Sequence, residues 1–571
     1  MGRELTGKKH AGEVRIRQKN GDIYVYERIT AYNPSTKKTF TEKKTLKGKI
    51  LAGTDVMIPT RPKKTGNVNK ESSVSARRTR VGLTEILNWV SLESGIGAAV
   101  RACFPLGDAQ KIETIAQYWI GTDGQTLPRL EKWQLMHQTP FEEGMSEDVC
   151  SDLFASVAAN ESGIQQYFLA RSSCHSNDRP VIALDTSTVD TYSRNQFEAR
   201  FGFSKESEDL PSIKLLTLMD INSLQPFAFE QQPGNVPDVI SIRDAIAKVK
   251  CLMPDNAPLI VTDSSFCSEE NMLMFVRNSM KFLTRIAADV SWVRAELDKI
   301  KGTITKMENA CPDDESTYGK TVTIKHDFKI LRQRTRGQYQ AGETQILSRK
   351  LHLHFFFSDT KAVEDRLRFR KEIQELKALK SAGIELNASG ERKAKKYLIC
   401  KDDGTVLFND AAINEVQERF GFFVLVSSTE KDTFEALRLY RLRARIEDLF
   451  AYQKNSTDGR RPRVWYPDNL RGRQFVQFVA LGYHFFLQQR INLMLEDLSK
   501  DNGTKSKGEL AAEKKLKNWV EQRSITQILE WFDAVTENRI STPYARRRIT
   551  TESTTRDQLF LKKLGVIPLF Y

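Results

Sequence analysis

The stretch VIALD at residues 181–185 is an unbroken apolar run that ends on an acid, and LIVTD at residues 259–263 repeats the pattern. Short apolar runs of this kind are typical of strands that are buried on both faces of a sheet. An acid that ends such a strand lies at the rim of the sheet, where sites are commonly built. The two runs therefore predict a buried sheet that carries Asp185 and Asp263 at one rim.

The segments around these two runs predict the order of elements in an α/β core. Five strands and two helices are expected, in the order strand 181–187, strand 213–221, strand 225–232, helix 238–252, strand 258–263, helix 268–279 and strand 281–287. Three consecutive strands followed by alternating helices and strands is the order of an RNase H-like fold, a mixed sheet flanked by helices. Its first and fourth strands are neighbours, so their two acids would converge.

A third acid lies in a helical stretch much farther along the chain, YRLRARIEDLFAYQK at residues 440–454. At roughly 100° per residue, four of its side chains fall within a stripe about 60° wide: Tyr440, Arg443, Glu447 and Lys454. Apolar residues on an adjoining arc allow the same helix to pack against a core. A solvated charged face would show the same pattern, so the functional interpretation depends on the two strand acids.

Asp185, Asp263 and Glu447 form a candidate metal-binding trio made only of carboxylates. Oxygen ligands suit a hard cation such as Mg²⁺ or Mn²⁺. Zinc is disfavoured because no Cys or His lies in these motifs. Asp190, five residues after Asp185 in DTSTVD, is an alternative for the first acid. We favour Asp185 because it directly ends the apolar run.

These motifs resemble the DDE transposases of bacterial insertion sequences, in the insertion-sequence-four superfamily that is named for its YREK signature. The resemblance extends from about residue 180 to about residue 487 and includes the phrases PGNVPD, FGFFVLVSS and LRGRQFVQFVAL. It implies that Asp185, Asp263 and Glu447 are the catalytic and metal-binding residues, with Mg²⁺ or Mn²⁺, two ions in all, shared among them.

The resemblance also implies an activity and its partners. Such a transposase cleaves double-stranded DNA at the inverted repeats of a transposon and joins the freed 3′ end to target DNA, a cut-and-paste reaction with a hairpin intermediate. Tyr440, Arg443 and Lys454 would hold phosphates around a flipped base. A homodimer would hold the paired ends. Two alternatives stay open: a catalytically inactive relative that regulates by binding the ends, and a standalone nuclease of the same fold.

The composition is that of a soluble protein with several domains. The chain has 571 residues, too many for one core, with 40% hydrophobic and 28% charged residues. No stretch reaches the roughly 20 apolar residues that a membrane helix needs, so no membrane partner is expected. Seven cysteines without a CxxC pair favour reduced thiols and a cytoplasmic location.

The net charge of +14 is unevenly distributed along the chain. Residues 1–80 hold 20 Lys and Arg against 7 Asp and Glu, and residues 440–571 hold 24 against 15, which leaves a net charge of −8 between them. Basic ends around an acidic centre suit a protein that grips DNA with its flanks and holds metal in the middle. Basic tails that only promote solubility would show the same distribution.

Six regions are expected along the chain: a basic β-hairpin and linker at 1–80, a helical region at 81–175, the two parts of the RNase H-like core at 176–290 and 419–498, a β-rich insertion domain at 291–418, and a basic helical region at 499–571. The insertion is implied because the 184 residues between the second and third acids are too many for one connection in a compact domain.

Two of these regions leave alternatives open. In the helical region, two helices around Ser94 and Gly95 are equally compatible with a DNA-binding helix-turn-helix and with a small packing domain. In the insertion, Trp292 is the only Trp between Asp263 and Glu447. It could bind DNA by stacking on a base, although a core indole is the favoured interpretation.

Deletion of residues 1–80 should flatten the salt dependence of DNA binding, because this segment carries most of the excess positive charge. The slope of log affinity against log salt should fall by about 0.9 for every phosphate that the truncated protein no longer binds, measured by fluorescence anisotropy on transposon-end DNA. Metal-dependent activity on pre-nicked DNA should survive in part. An unchanged slope in a truncated protein that remains folded would instead make this segment a folding or dimerisation arm.

Overall fold

A computed structural model of the chain divides into two compact units, Met1–Arg77 with Arg539–Arg548, and Arg78–Asn538 with Ile549–Tyr571. The structure describes residues 9–33, 36–59, 75–173, 180–202, 209–253, 258–331, 342–401, 404–460, 464–500, 505–541 and 546–567. Each unit is considered by itself.

The first unit is built on a four-stranded antiparallel sheet. Its strands follow one another in chain order: β1 (Lys9–Arg17), β2 (Ile23–Asn33), β3 (Lys38–Ile50) and β4 (Met57–Pro59). The expected hairpin corresponds to β2 and β3. The strand β1 was not expected, because four of its nine residues are Lys, His or Arg and its apolar residues do not form a run. Most of the expected linker, residues 60–74, lies outside the described residues.

A layer of helices follows in the second unit, after β5 (Ser75–Arg80). Its members are α1 (Gly82–Glu93), α2 (Ile96–Cys103), α3 (Leu106–Thr122), α4 (Leu130–Met136), α5 (Glu147–Ala159) and α6 (Glu161–Ser172). Gly95 joins α1 to α2 with a φ of +70°, a conformation that glycine adopts without strain. Ile96 and Val100 of α2 are fully buried in the core. Ala98 and Arg101 on the opposite side of α2 are exposed, so the helix packs one face on the core, as both interpretations require.

The central sheet contains the expected core. Its first elements are β6 (Val181–Asp190), β7 (Ser212–Asp220), β8 (Gln225–Pro233), α7 (Asp238–Leu252), β9 (Leu259–Thr262), α8 (Glu269–Arg277) and β10 (Lys281–Ile286). The strands lie in the order β8-β7-β6-β9-β10, in which β9 pairs parallel with both β6 and β10. The first and fourth strands are thus neighbours, which confirms the RNase H-like arrangement.

The strands of the expected insertion extend this same sheet. The segment contains α9 (Ser291–Ile300), β11 (Ala310–Cys311), β12 (Asp314–Leu331), β13 (Thr344–Ser358), α10 (Asp359–Ser381), α11 (Ala388–Tyr397), β14 (Leu398–Cys400), β15 (Val406–Phe408), α12 (Asp410–Gln417) and β16 (Phe422–Ser427). Through β16, the hairpin of β12 and β13 joins β10 and makes a nine-stranded sheet. Leu353 and His354 of β13 are both buried, so this strand is covered on both faces, as an internal strand requires.

Among the described residues of this segment, only those of the helical part form a core of their own. Ile373 and Leu376 of α10 pack with Tyr397 of α11 and with Leu398 and Val406 of the small β14–β15 sheet. A β-rich insertion separate from the sheet was expected, and the structure instead divides the segment into sheet strands and a small helical subdomain.

The remaining elements are α13 (Thr433–Leu442), α14 (Arg445–Ser456), α15 (Pro467–Ser499), α16 (Lys507–Glu521), α17 (Ile525–Asp533), β17 (Thr536–Ser541), β18 (Arg546–Thr550) and α18 (Thr555–Leu564). The C-terminal region therefore holds two strands beside the expected helices. The long helix α15 packs against α3, α5 and β8, which joins the helical layer to the sheet. Among the described residues, no helix is both long and apolar enough to span a membrane.

The central sheet separates two apolar clusters. One face joins the helical layer, with Ile182, Leu184 and Ile260 among its members. The other face is covered by α13 and α14, and Val181 and Val261 belong to that second cluster. Any polar side chain that follows Val181 or Val261 on the second face must therefore meet α13 and α14.

Gly472→Ala should destabilise the fold, although alanine is the better helix former. Gly472 lies inside α15, where an added methyl group would overlap the Phe154 carbonyl of α5. We expect a loss of about 2 kcal/mol of unfolding free energy, measured by chemical denaturation. The matched control is Gly508→Ala in α16, where a methyl group meets nothing within 4 Å. Equal stability of the two variants would contradict close packing of α15 on α5.

Candidate active site

The register of β6 and β9 brings the first two acids together. These strands pair in parallel, with Val181 level with Leu259 and Ala183 level with Val261. Continued by two residues, that register sets Asp185 level with Asp263. Level residues on parallel strands project from the same face, and the strands are about 4.8 Å apart. The two carboxylates therefore stand side by side beneath α13 and α14.

Asp185 does not end its strand, as expected from the sequence, but lies in the middle of it. The strand β6 continues to Asp190, because residues 186–190 keep pairing with β7 as far as the pair Asp190–Ser212. A hydrogen bond also fixes the next residue, because Thr186 Oγ1 donates to Asp238 Oδ1 at 2.7 Å. Asp238 is the first residue of α7. The phrase PGNVPD ends on this Asp238, which lies on the opposite face of the sheet from Asp185.

The structure places Asp190 on the face opposite to Asp185. The pairing of β6 with β7 is unbroken from Ile182 to Asp190, so side chains alternate strictly between the two faces. Asp190 is only 2% exposed. It therefore lies on the α7 side of the sheet, away from Asp263.

The helix that carries the signature is interrupted. We expected one continuous helix over 440–454, whereas α13 ends at Leu442 and α14 begins at Arg445. Between them, the amides of Arg443, Ala444 and Glu447 each bond to the carbonyl three residues earlier, as in a 3₁₀ turn. A 3₁₀ turn advances about 120° per residue, and short 3₁₀ segments inside helices often occur at functional sites. No Gly or Pro marks the position, so periodicity could not predict it.

Tyr440 and Arg443 connect this turn to all three acids. The Tyr440 hydroxyl donates to Asp263 Oδ1 at 3.0 Å. Arg443 Nη1 donates to Asp185 Oδ2 at 3.0 Å, and Nη2 donates to Glu447 Oε1 at 3.0 Å. Two oxygen atoms bound in this way by one guanidinium group lie at most about 8 Å apart. The guanidinium also lies 5.4 Å from the centroid of the Tyr440 ring.

Burial divides the cluster into an interior and a mouth. The side chains of Arg443 and Asp185 are 9% and 17% exposed, whereas the side chain of Glu447 is 60% exposed. A buried guanidinium is stable only when its charge is compensated, and Asp185 supplies that charge. Glu447 is the acid that an approaching ligand would meet first.

The two neighbouring aspartates have opposite pKa shifts. Burial raises the pKa of Asp185 to about 6, with smaller increases from the charges of Asp263 and Glu447. Burial alone would also raise the pKa of Asp263, but the Ser264 amide, the Arg443 charge and the Tyr440 hydroxyl outweigh it and hold that pKa below its usual value. Adjacent carboxyls with opposed shifts are typical of functional sites.

Arg285 belongs to this site, although the sequence interpretation missed it. Strand β10 pairs in parallel with β9, with Thr284 level with Thr262, so Arg285 is level with Asp263 on the next strand. Its charge helps to lower the pKa of Asp263, and it opposes the increase in the pKa of Tyr440, which burial raises to about 12. The sequence signal that could have identified Arg285 is a basic residue near the end of the apolar run KFLTRI. This run follows LIVTD, and pairing the two runs side by side sets Arg285 beside Asp263.

The other two predicted DNA-binding residues lie farther out. Lys454 is seven residues beyond Glu447 on α14, about 10 Å along the helix axis, and is half-buried. Trp292, at the start of α9, packs against the large core, and its ring lies 4.5 Å from that of His326. This position supports the core-indole interpretation of Trp292.

The three acids suit a hard divalent cation in chemistry but not in their present spacing. All their donor atoms are carboxylate oxygens, the ligands that Mg²⁺ and Mn²⁺ prefer. In the described part of the chain, however, no three His, Cys, Asp or Glu side chains lie close enough to hold a metal ion. The guanidinium of Arg443 occupies the space between Asp185 and Glu447. A cation shared by these two acids requires Arg443 to move.

Comparisons with known proteins identify the family. A family model described as "Transposase DDE domain" matches residues 176–481, more than half of the chain. No curated protein sequence matches. A cryo-EM structure of piggyBac transposase in a synaptic complex with hairpin DNA is similar over 79% of this chain and 78% of that chain, with 9% sequence identity and a TM-score of 0.34.

The raised pKa of Asp185 should make stability depend on pH. A folded-state pKa of about 6, above the ordinary 3.8, means that the folded protein binds this proton more tightly. Between pH 4 and pH 6, wild type should therefore lose on the order of 2 kcal/mol of unfolding free energy relative to Asp185→Asn, whose side chain has no titratable proton. Denaturation of both proteins across this range measures the difference. Parallel pH profiles would contradict the shift.

Proposed function

This chain belongs to the DDE transposase family, and we propose that Asp185, Asp263 and Glu447 are the acids that carry its chemistry. Members of this family cleave DNA and transfer the freed strand. The assignment is supported by one observation above all: Tyr440 and Arg443 bind all three acids within one cluster.

The three acids would hold two divalent ions, Mg²⁺ or Mn²⁺, at the mouth of the site. When bound, such ions activate a water or a DNA 3′-hydroxyl and stabilise the leaving oxygen of an in-line displacement at phosphorus. Asp185 and Asp263 would hold the cations from the sheet, and Glu447 would hold them from α14. The same three side chains would serve cleavage and strand transfer, since both are displacements at phosphorus.

Arg443 would couple DNA binding to the opening of the site. A guanidinium group binds a phosphate at least as well as it binds a carboxylate, because both anions accept the same pair of hydrogen bonds. A DNA phosphate at the mouth would therefore compete for Arg443 and draw it away from Asp185 and Glu447. The two freed carboxylates could then accept a cation, which neutralises them in place of the arginine.

The remaining signature residues would handle the DNA end. Tyr440 and Lys454 would join Arg443 in holding phosphates around a flipped base, which permits a hairpin intermediate during cut-and-paste transposition. The substrates would be the inverted repeats of the element and its target DNA. A homodimer that holds both ends, a cytoplasmic location and membership of the insertion-sequence-four superfamily stay predictions.

Glu447→Gln should abolish cleavage while DNA binding persists. The substitution preserves size but removes a charge that holds metal, so we expect the cleavage rate to fall by about 100-fold or more. The assay is gel electrophoresis of DNA that carries the ends of the element, with Mg²⁺. Asp448→Asn is the matched control. The side chain of Asp448 is 61% exposed, close to the 60% of Glu447, and it lies outside the cluster. Similar cleavage by the two variants would refute the assignment of Glu447.

A further inference from the structure

The four-stranded sheet of the first unit has one packed face. In its described part the unit contains three buried apolar side chains, Val25, Ala31 and Ile50. Val25 and Ala31 occupy odd positions of β2, and Ile50 of β3 pairs with Ile23, another odd position. Paired residues of antiparallel strands share a face, so all three lie on the same side.

Three tyrosines lie on the opposite face, called here the tyrosine face. Tyr24, Tyr26 and Tyr32 occupy even positions of β2, and Tyr32 is 45% exposed. On β1, Ile16 is level with Tyr24 and Val14 is level with Tyr26, so apolar side chains support these two rings. Tyr24 and Tyr26 stand about 7 Å apart along the strand, and Tyr32 about 27 Å from Tyr24. None of these five side chains is buried.

The cations of the tyrosine face have no acidic neighbours at the paired positions of the strands. Arg28 of β2 is level with Lys44 of β3, and Lys49 is level with Tyr24, so all three cations lie on the tyrosine face. The ammonium of Lys44 lies 4.2 Å from the centroid of the Tyr26 ring. No paired strand position on this face is Asp or Glu.

The acids of β1 and β2 are paired elsewhere. Glu13 binds Arg15 at 2.9 Å, and both occupy odd positions of β1, on the packed face. Glu27, at an odd position of β2, binds Lys47 at 3.2 Å. The acids at paired positions of β1 and β2 thus lie on the packed face, whereas the tyrosine face carries three cations and no acid at its paired positions.

We propose that the tyrosine face binds an unpaired segment of a DNA strand. Aromatic rings beside cations are the chemistry that holds single strands, since bases stack on the rings while cations hold the phosphates. A duplex fits this face less well. Four strands span about 14 Å between the outer axes, wider than the 12 Å or so of the major groove. A duplex could thus touch the face only through phosphates, which leaves the three rings without bases.

The proposal rests on the proposed function, because DNA is its ligand, and it adds a site to it. The hairpin intermediate of the proposed reaction requires bases that have left the duplex. A stacking surface in the first unit would hold such bases outside the catalytic cluster. Three of the cations of residues 1–80, Arg28, Lys44 and Lys49, would then have a defined place of action.

The test is fluorescence anisotropy of the full-length chain with a labelled thymidine oligomer of about 20 nucleotides, longer than a typical stacking site. Tyr32→Ala should weaken binding by about tenfold, the lower part of the range for removal of one base stack. Phe40→Ala is the matched control, because Phe40 is also 45% exposed but pairs with Ala31 on the packed face. Phe40→Ala should bind as wild type does, and Tyr32→Phe should retain most of the affinity.

Neighbouring lysines test the charge of the face in the same way. Lys44→Ala should lower the salt slope for the oligomer by about 0.7, the value for one contact to a single strand. Lys43→Ala removes the same charge on the packed face, where Lys43 pairs with Ile29, and should leave the slope unchanged. Equal effects of Lys44→Ala and Lys43→Ala would overturn the proposal, because charge alone would then account for binding.

The measurements are made in EDTA, so their outcome is independent of the metal-dependent chemistry. Equal affinities of Tyr32→Ala and Phe40→Ala would overturn the tyrosine face and leave the catalytic assignment intact. Similar cleavage by Glu447→Gln and Asp448→Asn would overturn the catalytic assignment and leave this face intact. Binding of a duplex more tightly than of the oligomer, with no effect of Tyr32→Ala on either, would also overturn the proposal in favour of a surface that binds phosphates alone.

Discussion

The parallel pairing of β6 with β9 sets Asp185 level with Asp263, and the rest of the site is arranged around that pair. Both strands are buried on both faces, so neither can slip by one residue without moving an acid to the opposite face of the sheet. Strand β10 pairs in parallel with β9, so Arg285 is level with Asp263 and forms one row with the two acids. The register thus places two acids and one cation in one row across three internal strands before any helix contributes.

Arg443 and Tyr440 are the groups through which the signature segment contacts that row, and Arg443 is the charged one. Its guanidinium is almost fully buried and bonds to one acid of the sheet and one acid of its own helix. A buried cation needs such compensation, and the two carboxylates need a cation equally. Two acids of the cluster are therefore compensated by a side chain that a phosphate can attract. In the proposed function, the same arginine would be a structural group in one state and a DNA ligand in another.

Local pattern was sufficient for much of the core. The helix at 238–252 was predicted to the residue, and β7 and β8 to within one residue at each end, because apolar runs and turn residues are local signals. Strand β6, in contrast, continues three residues beyond its predicted end. The break in the helix at Arg443 was not predicted, because no Gly or Pro marks it. It occurs where Tyr440 bonds to Asp263 and Arg443 bonds to Asp185, and both acids are far away in the sequence. The strands of the expected insertion belong to the central sheet, because β13 pairs with β16. Local pattern could not predict this pairing, because the two strands are far apart in the sequence.

The amino-acid order alone identified the acids, the signature and the RNase H-like succession of elements, since residue type and short-range periodicity record these directly. It could not separate Asp185 from Asp190, because both follow the same apolar run and only the unbroken pairing with β7 assigns them to opposite faces. Nor could it reveal Arg285 or the division of the N-terminal sheet into a charged tyrosine face and a packed face. Those features depend on which strands become neighbours and in what register, and register is a property of the folded sheet.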